Sequence, residues 1–223
     1  MKSPVDPQFA FRILLTVAAV TLLYSLYQVF MIVPNERIMG PVQRIFYFHV
    51  GSAIACYAGV FGVFIASLWH FATRDHRADS LNKAASEVAF VFATGVLLSG
   101  MIWGHSAWNT WFRWEPRLVT FLFLWLLLGS TLVLRSFGDT ERSANHSAVM
   151  GILVSISVPL VVFSIRFMPQ VAQLHPVVVE QRGLADSRYV TALLWSLASL
   201  ILLQILLTWL SYRIDRVQKS HED

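Results

Sequence analysis

Charged side chains and cysteine are both scarce in this sequence of 223 residues. Charged residues make up 13% of the chain, whereas soluble domains carry about 25%, so an ordinary soluble domain is excluded. The single cysteine, Cys56, excludes an intrachain disulfide. The sequence also lacks a glycine-rich phosphate-binding loop and a Ser/His/Asp arrangement. We therefore predict no catalytic residue and a protein that is not an enzyme.

Apolar residues are abundant: they make up 56% of the chain and give a mean hydropathy of +0.59. They fall into six blocks, each long enough to cross roughly 30 Å of hydrocarbon as a helix. We predict an all-α polytopic membrane protein with six transmembrane helices, which form a single domain over residues 1–223. The predicted spans are Phe11–Val33, Ile45–Phe71, Ala84–Trp103, Leu118–Ser136, Ser147–Phe167 and Tyr189–Tyr212.

The basic residues predict the orientation of these spans. The formal net charge is +4, but basic residues of a membrane protein usually set its topology, so we expect a lipid bilayer and no nucleic acid as partner. The lysines, Lys2, Lys83 and Lys219, all fall on the side that holds both termini. The positive-inside rule therefore predicts that the N and C termini are cytoplasmic. The first block exceeds the roughly 7–15 apolar residues of a signal peptide core, so we retain it as a span.

A tryptophan-rich segment, MIWGHSAWNTWFRWEPRL at residues 101–118, lies between the third and fourth spans on the opposite, outer side. It holds Trp103, Trp108, Trp111 and Trp114, out of eight tryptophans in the chain. On a helix the last three would cover an arc of about 120°, with the arginines of the segment pointing away from it. We predict a short outer amphipathic helix. Its tryptophans form either a flat platform for a ligand or an aromatic belt at the membrane interface.

Histidines on the outer side favour the ligand interpretation. His49 follows QRIFYF near the outer end of the second span, His105 lies in the tryptophan segment, and His175 lies in the long loop after the fifth span. Neutral imidazole is a common iron ligand, and two histidines on opposite sides of an aromatic shelf could clamp a flat metal macrocycle. Alternatively, His49 is a hydrogen-bonded packing residue and His175 an exposed loop residue.

The histidine after QRIFY, the tryptophan segment with its acid-x-Arg-Leu ending, and the second loop histidine resemble the haem exporter protein C family. In that family the tryptophan-rich segment is called the WWD domain. This chain has Glu115 where the family usually has aspartate, and Asn109 where a glycine is common. Of the family's usual run at the second histidine, only the pair Leu174 and His175 is kept.

This resemblance implies a binding site for haem b as a transient cargo with bis-histidine ligation. His49 and His175 would be the iron ligands, and the residues around the cofactor would be Trp103, Trp108, Trp111, Trp114, Glu115, Arg113 and Arg117. Because there is no Cys-x-x-Cys-His signal, haem is not expected to be attached covalently.

The resemblance also implies a place in c-type cytochrome biogenesis. The protein would bind haem at the outer face of the bacterial cytoplasmic membrane and hand it to a periplasmic haem chaperone. Its other partners would be the permease and ATPase subunits of an ABC transporter and a small single-span subunit. Two alternatives stay open: a permease or structural subunit of a transporter that binds no haem, and a haem-synthetase-type cytochrome c assembly protein.

Overall fold

The computed structural model describes residues 6–137, 140–168, 171 and 186–222. In these residues the chain forms six α-helices and no strand, which confirms the predicted all-α architecture. A five-residue π-helical turn, Gln28–Ile32, extends the first helix, and a 3₁₀ turn, Pro41–Arg44, precedes the second. The helices are α1 (Pro7–Tyr27), α2 (Ile45–Thr73), α3 (His76–Trp108), α4 (Pro116–Arg135), α5 (Thr140–Phe167) and α6 (Ser187–Glu222).

All six helices are long and apolar enough to cross a membrane. The shortest, α4, has 20 residues, which at 1.5 Å per residue span about 30 Å. The chain is therefore a multi-pass membrane protein. We call the end of the bundle that holds the α3–α4 connection the outer end, and the end that holds the α2–α3 connection the inner end.

Local signals in the sequence set several helix ends. Asp6 and Asp75 accept hydrogen bonds from backbone N–H groups at the starts of α1 and α3, at 3.0 and 2.8 Å, as N-cap residues do. Pro116 occupies the first turn of α4, where its missing N–H and fixed φ are favourable. Arg74 and Asn109 adopt left-handed conformations that end α2 and α3. These ends place the two connections at opposite ends of the bundle.

The central helix of the bundle is α2, which packs against α3, α5 and α6. Its core face carries small residues such as Ala55, Cys56 and Val60, which meet Leu124 and Leu128 of α4 and Val154 of α5 in one apolar cluster. The helix α1 lies at the periphery and packs mainly on α6.

A network of buried charges, which we call the inner ion network, joins three helices at the inner end. Asp79 of α3 pairs with Arg135 of α4 at 2.8 Å and with Lys219 of α6 at 3.1 Å. Asp215 of α6 pairs with Lys83 of α3 at 2.7 Å and with Lys219 at 2.9 Å. These contacts explain why α3 begins at His76 and α6 continues to Glu222, well beyond the apolar spans predicted from the sequence.

The tryptophan segment differs from the prediction in one respect: it forms no separate short amphipathic helix. Instead, α3 continues to Trp108, and residues 109–115 are not helical. Asn109 ends α3 with φ of 52°, and its N–H bonds to the carbonyls of Gly104 and His105, as in a left-handed C-cap. Because Pro116 restricts the residue before it to extended conformations, Glu115 with ψ of 147° cannot continue a helix into α4.

Replacement of Asn109 by valine is expected to destabilise the protein by about 1–2 kcal/mol, because a β-branched residue fits the left-handed conformation poorly. Asn109→Gly serves as the matched control, since glycine adopts this conformation without cost, and it should leave stability unchanged or raise it. Thermal unfolding in detergent, followed by far-UV circular dichroism, measures both variants. Equal melting temperatures for the two variants would contradict the assigned cap.

Candidate functional site

A cavity of about 270 Å³ lies at the outer end of the bundle, between α2, α3, α4 and α5 and beneath the α3–α4 connection. Apolar side chains of all four helices form most of its wall. The predicted site residues that line it are His49, Trp103, Trp108, Trp111, Arg113, Glu115 and Arg117.

The imidazole of His49 reaches the cavity from the second turn of α2. Its Nδ1 lies 3.0 Å from the hydroxyl oxygen of Ser99 on α3. Its ring meets the ring of Trp103 edge to face, with centroids 5.9 Å apart. The absence of a side chain at Gly100 leaves room for the imidazole, because a Cβ there would lie 3.1 Å from Cε1 of His49. The imidazole thus packs against α3, where it contacts Ser99, Gly100 and Trp103.

Trp103 is the buried tryptophan of the cavity, with 5% of its surface exposed. Its ring lies 6.0 Å from the rings of Phe46 and Trp108. Its indole Nε1 is buried and has no hydrogen-bond acceptor within the described part of the chain. Trp103 therefore contacts both the aromatic residues of the cavity wall and the buried core at the outer end. Its indole N–H is a buried donor that is left unsatisfied there.

The outer tryptophans occupy two different environments. Trp111 is 55% exposed, lines the cavity and stacks on His105, with ring centroids 4.1 Å apart and planes within 5°. Trp114 is 80% exposed and packs edge to face against Phe112. It does not line the cavity. The segment thus contributes three tryptophans to the cavity wall and one to the outer surface of the protein.

Three charged residues lie around the outer part of the cavity. Arg113 Nε is 3.4 Å from Glu115 Oε1, and the Glu115 side chain is buried. Arg117 Nη2 donates to the carbonyl of Val162 on α5 at 3.4 Å. The prediction that Arg113 and Arg117 point away from the tryptophans is wrong, because it assumed a continuous helix. With residues 109–115 not helical, both arginines line the same cavity as three of the tryptophans.

The second predicted iron ligand, His175, lies outside the described residues. Among the residues that the structure does describe, no group of three His, Cys, Asp or Glu side chains could hold a metal ion. Within the described residues, His49 is the one histidine that lines the cavity.

Several residues of the site were not identified from the sequence, namely the wall residues Tyr57, Gly100, Phe112 and Phe121 and the His49 partner Ser99. Residues four positions apart on a helix lie on the same face, so His49, Ala53 and Tyr57 share one face of α2. The sequence alone could therefore have identified Tyr57. The contacts of Ser99 and Gly100 with His49 depend on how α3 lies against α2, for which the sequence has no local signal.

The fold and this cavity define a polytopic membrane protein with a binding site of aromatic rings, one imidazole and two guanidinium groups at one end of its helix bundle. The sequence model of the family described as Heme exporter protein C matches residues 7–223. The chain belongs to the haem exporter protein C family, as the resemblance predicted.

Relatives of the chain are proteins named Heme exporter protein C in three bacteria. The one from Bradyrhizobium diazoefficiens is 33% identical over 159 residues, which cover 69% of this chain and 60% of the relative. That from Paracoccus denitrificans is 28% identical over 61% of this chain and 57% of its own length. That from Escherichia coli strain K12 is 25% identical over 81% and 73%. The chain thus spans less than two thirds of the first two relatives.

Proposed function

We propose that this protein binds haem reversibly in the outer cavity and hands it to a periplasmic haem chaperone for c-type cytochrome biogenesis. The family and the names of the relatives support haem export as the process. The six spans and the bacterial relatives support a place in the bacterial inner membrane. In this proposal both termini are cytoplasmic, because Lys83 and Lys219 lie at the inner end of the bundle, and the cavity opens towards the periplasm.

The observation that carries the proposal is that His49, three tryptophans and two arginines share one cavity. Each group matches one part of haem. A neutral imidazole ligates iron, aromatic rings cover the apolar faces of the macrocycle, and guanidinium groups bind carboxylates such as the propionates.

The proposed roles combine the positions of the described residues with the resemblance. His49 would be one iron ligand, and the resemblance assigns the other to His175. Trp103, Trp108 and Trp111 would form the bed of the macrocycle, and Trp114 would lie at its outer margin. Arg113 and Arg117 would bind the propionates, and Glu115 would orient Arg113, whose Nε lies 3.4 Å from it.

The size of the cavity limits how much of the haem it can enclose. Its volume of about 270 Å³ is slightly below the roughly 300–1,000 Å³ of ligand pockets. Haem b would therefore be held partly outside the cavity, against the exposed face of Trp111. The chain has a single cysteine and no covalent attachment motif, so the cargo can be released. In this proposal the protein acts as a binding and delivery subunit, with no catalytic residue.

The proposed partners follow from the same role. The haem chaperone would approach from the periplasm, where Trp111 and Trp114 are exposed. The permease and ATPase subunits of an ABC transporter and a small single-span subunit would pack on the membrane faces of the bundle. The six helices carry many apolar side chains that the described residues leave exposed, such as Phe61, Val91 and Leu194.

The visible spectrum of the protein purified from haem-replete cells tests the proposal. We expect a Soret band with low-spin features, and its loss or a shift to high spin in the double variant His49→Ala, His175→Ala. His76→Ala is the matched control, because His76 lies at the inner start of α3, and its band should equal that of the wild type. A wild type that stays colourless after addition of haem would refute the haem site, and a band unchanged in the double variant would refute the assigned ligands.

A further inference from the structure

The ring of His49 is held by a short chain of hydrogen bonds that reaches the backbone of α3. The hydroxyl of Ser99 donates to the carbonyl of Gly95 at 2.7 Å and lies 3.2 Å from the carbonyl of Val96. The same hydroxyl oxygen lies 3.0 Å from Nδ1 of His49. Ser99 thus links an imidazole on α2 to the backbone of α3.

The shortest contact indicates which way this link runs. A serine hydroxyl has one hydrogen, and the carbonyl of Gly95, at 2.7 Å, is its nearest acceptor. With that hydrogen donated to Gly95, the Ser99 oxygen accepts a hydrogen bond from Nδ1–H of His49. This arrangement favours the tautomer in which Nδ1 carries the hydrogen and Nε2 carries the lone pair.

The position of Gly100 shows which edge of the ring faces α3. A Cβ at Gly100 would lie 3.1 Å from Cε1 and 3.6 Å from Nδ1 of His49. The Nδ1–Cε1 edge therefore lies against α3, and the edge that contains Nε2 and Cδ2 is turned away from it. Since His49 lines the cavity, this orientation suits ligation through Nε2.

We propose that Ser99 is a positioning residue for the cargo: its hydroxyl orients the imidazole of His49 and holds it in the tautomer that presents Nε2 to the haem iron. This inference rests on the proposed function. In a metal-bound histidine, the group that accepts a hydrogen bond from the non-ligating ring nitrogen generally fixes the ring orientation and raises the basicity of the ligand. Loss of that group typically lowers metal affinity 10–100-fold. Because the edge-to-face contact with Trp103 still restrains the ring, we expect the lower end of that range for Ser99.

An isosteric pair of variants isolates the hydroxyl. Ser99→Thr keeps a hydroxyl that can bond the carbonyl four residues earlier. Ser99→Val introduces a side chain of the same shape as threonine but without the hydroxyl. We expect the haem dissociation constant, measured by competition with apomyoglobin, to rise about tenfold in Ser99→Val and to stay near the wild-type value in Ser99→Thr. The reduction potential of bound haem should rise in Ser99→Val, since a less basic imidazole stabilises ferric iron less.

Ser106→Ala is the matched control, because Ser106 is also on α3 and also bonds the carbonyl four residues earlier. It lies outside the cavity wall, and both measured quantities should equal those of the wild type. Equal dissociation constants for Ser99→Thr and Ser99→Val would overturn the inference, whether both match the wild type or both are weakened, because the hydroxyl would then have no specific role.

A measurement without haem separates this inference from the proposed function. In haem-free protein labelled at histidine, NMR of the imidazole nitrogens should show the Nδ1–H tautomer of His49 in the wild type and in Ser99→Thr. A mixture of tautomers is expected in Ser99→Val. A colourless wild type with this NMR result would refute the haem proposal but retain the role of Ser99 in orienting the ring. A wild type that populates both tautomers would overturn the inference, even if haem binds.

Discussion

Replacement of Asp79 by asparagine is expected to lower the free energy of unfolding by about 3–5 kcal/mol, the range found when one member of a buried ion pair is removed. The Asp79 side chain is 7% exposed and contacts both Arg135 and Lys219. An amide cannot neutralise two cations, and the Arg135 side chain is itself 11% exposed, so its charge would remain buried without compensation. Chemical unfolding in detergent measures the loss.

Two further variants test whether the loss of stability comes from the inner ion network. Asp186→Asn removes the exposed pair with Arg188 and should change stability little, because exposed pairs contribute little. In the double variant Asp79→Asn, Arg135→Met the uncompensated cation is removed, so part of the lost stability should return. If Asp79→Asn is no less stable than Asp186→Asn, the network does not stabilise the inner end.

Replacement of Trp103 by alanine is expected to cost about 3–5 kcal/mol, as for other buried tryptophans. The ring is 5% exposed and contacts Phe46, His49 and Trp108. Its removal would leave a void that these three rings cannot fill together. Since His49 loses an aromatic neighbour, haem affinity should fall in the same variant, which a haem titration followed at the Soret band measures.

Trp114→Ala is the control for this prediction. Its ring is 80% exposed and lies outside the cavity wall, so stability should stay close to that of the wild type, and haem affinity should fall much less than in Trp103→Ala. A loss of affinity in Trp114→Ala that equals the loss in Trp103→Ala would mean that the exposed face of the segment, and not the cavity, holds the ligand.

The number and approximate position of the helices could be predicted from the sequence, because a bilayer requires each span to be apolar and helical. The helix ends could not be predicted in the same way. Residues 76–83 of α3 are rich in polar side chains, and they are helical because Asp79 and Lys83 pair with α4 and α6. Such pairing depends on tertiary contacts that hydropathy does not contain.

The contents of the site could be predicted better than its geometry. The tryptophan segment and His49 were identified from residue type and spacing, and the structure places His49 and three of the tryptophans around one cavity. The directions of Arg113 and Arg117 were predicted wrongly, since Asn109 interrupts the helix. The sequence contains a signal for this interruption at position 109. Glycine and asparagine are the residues that most readily adopt positive φ, and this chain has asparagine where the family commonly has glycine.

The pairing of α1 with α6 has a consequence for the order in which the protein assembles. Tyr24 and Ser25 of α1 contact Trp195 and Ser196 of α6, and Phe11 contacts Trp209. Because α1 precedes α6 in the chain, the first span is synthesised well before the helix that it packs against. The hydroxyl of Ser25, fully buried in the finished bundle, finds its partner only when the sixth span is inserted. Closure of the bundle is thus a late, post-insertion step.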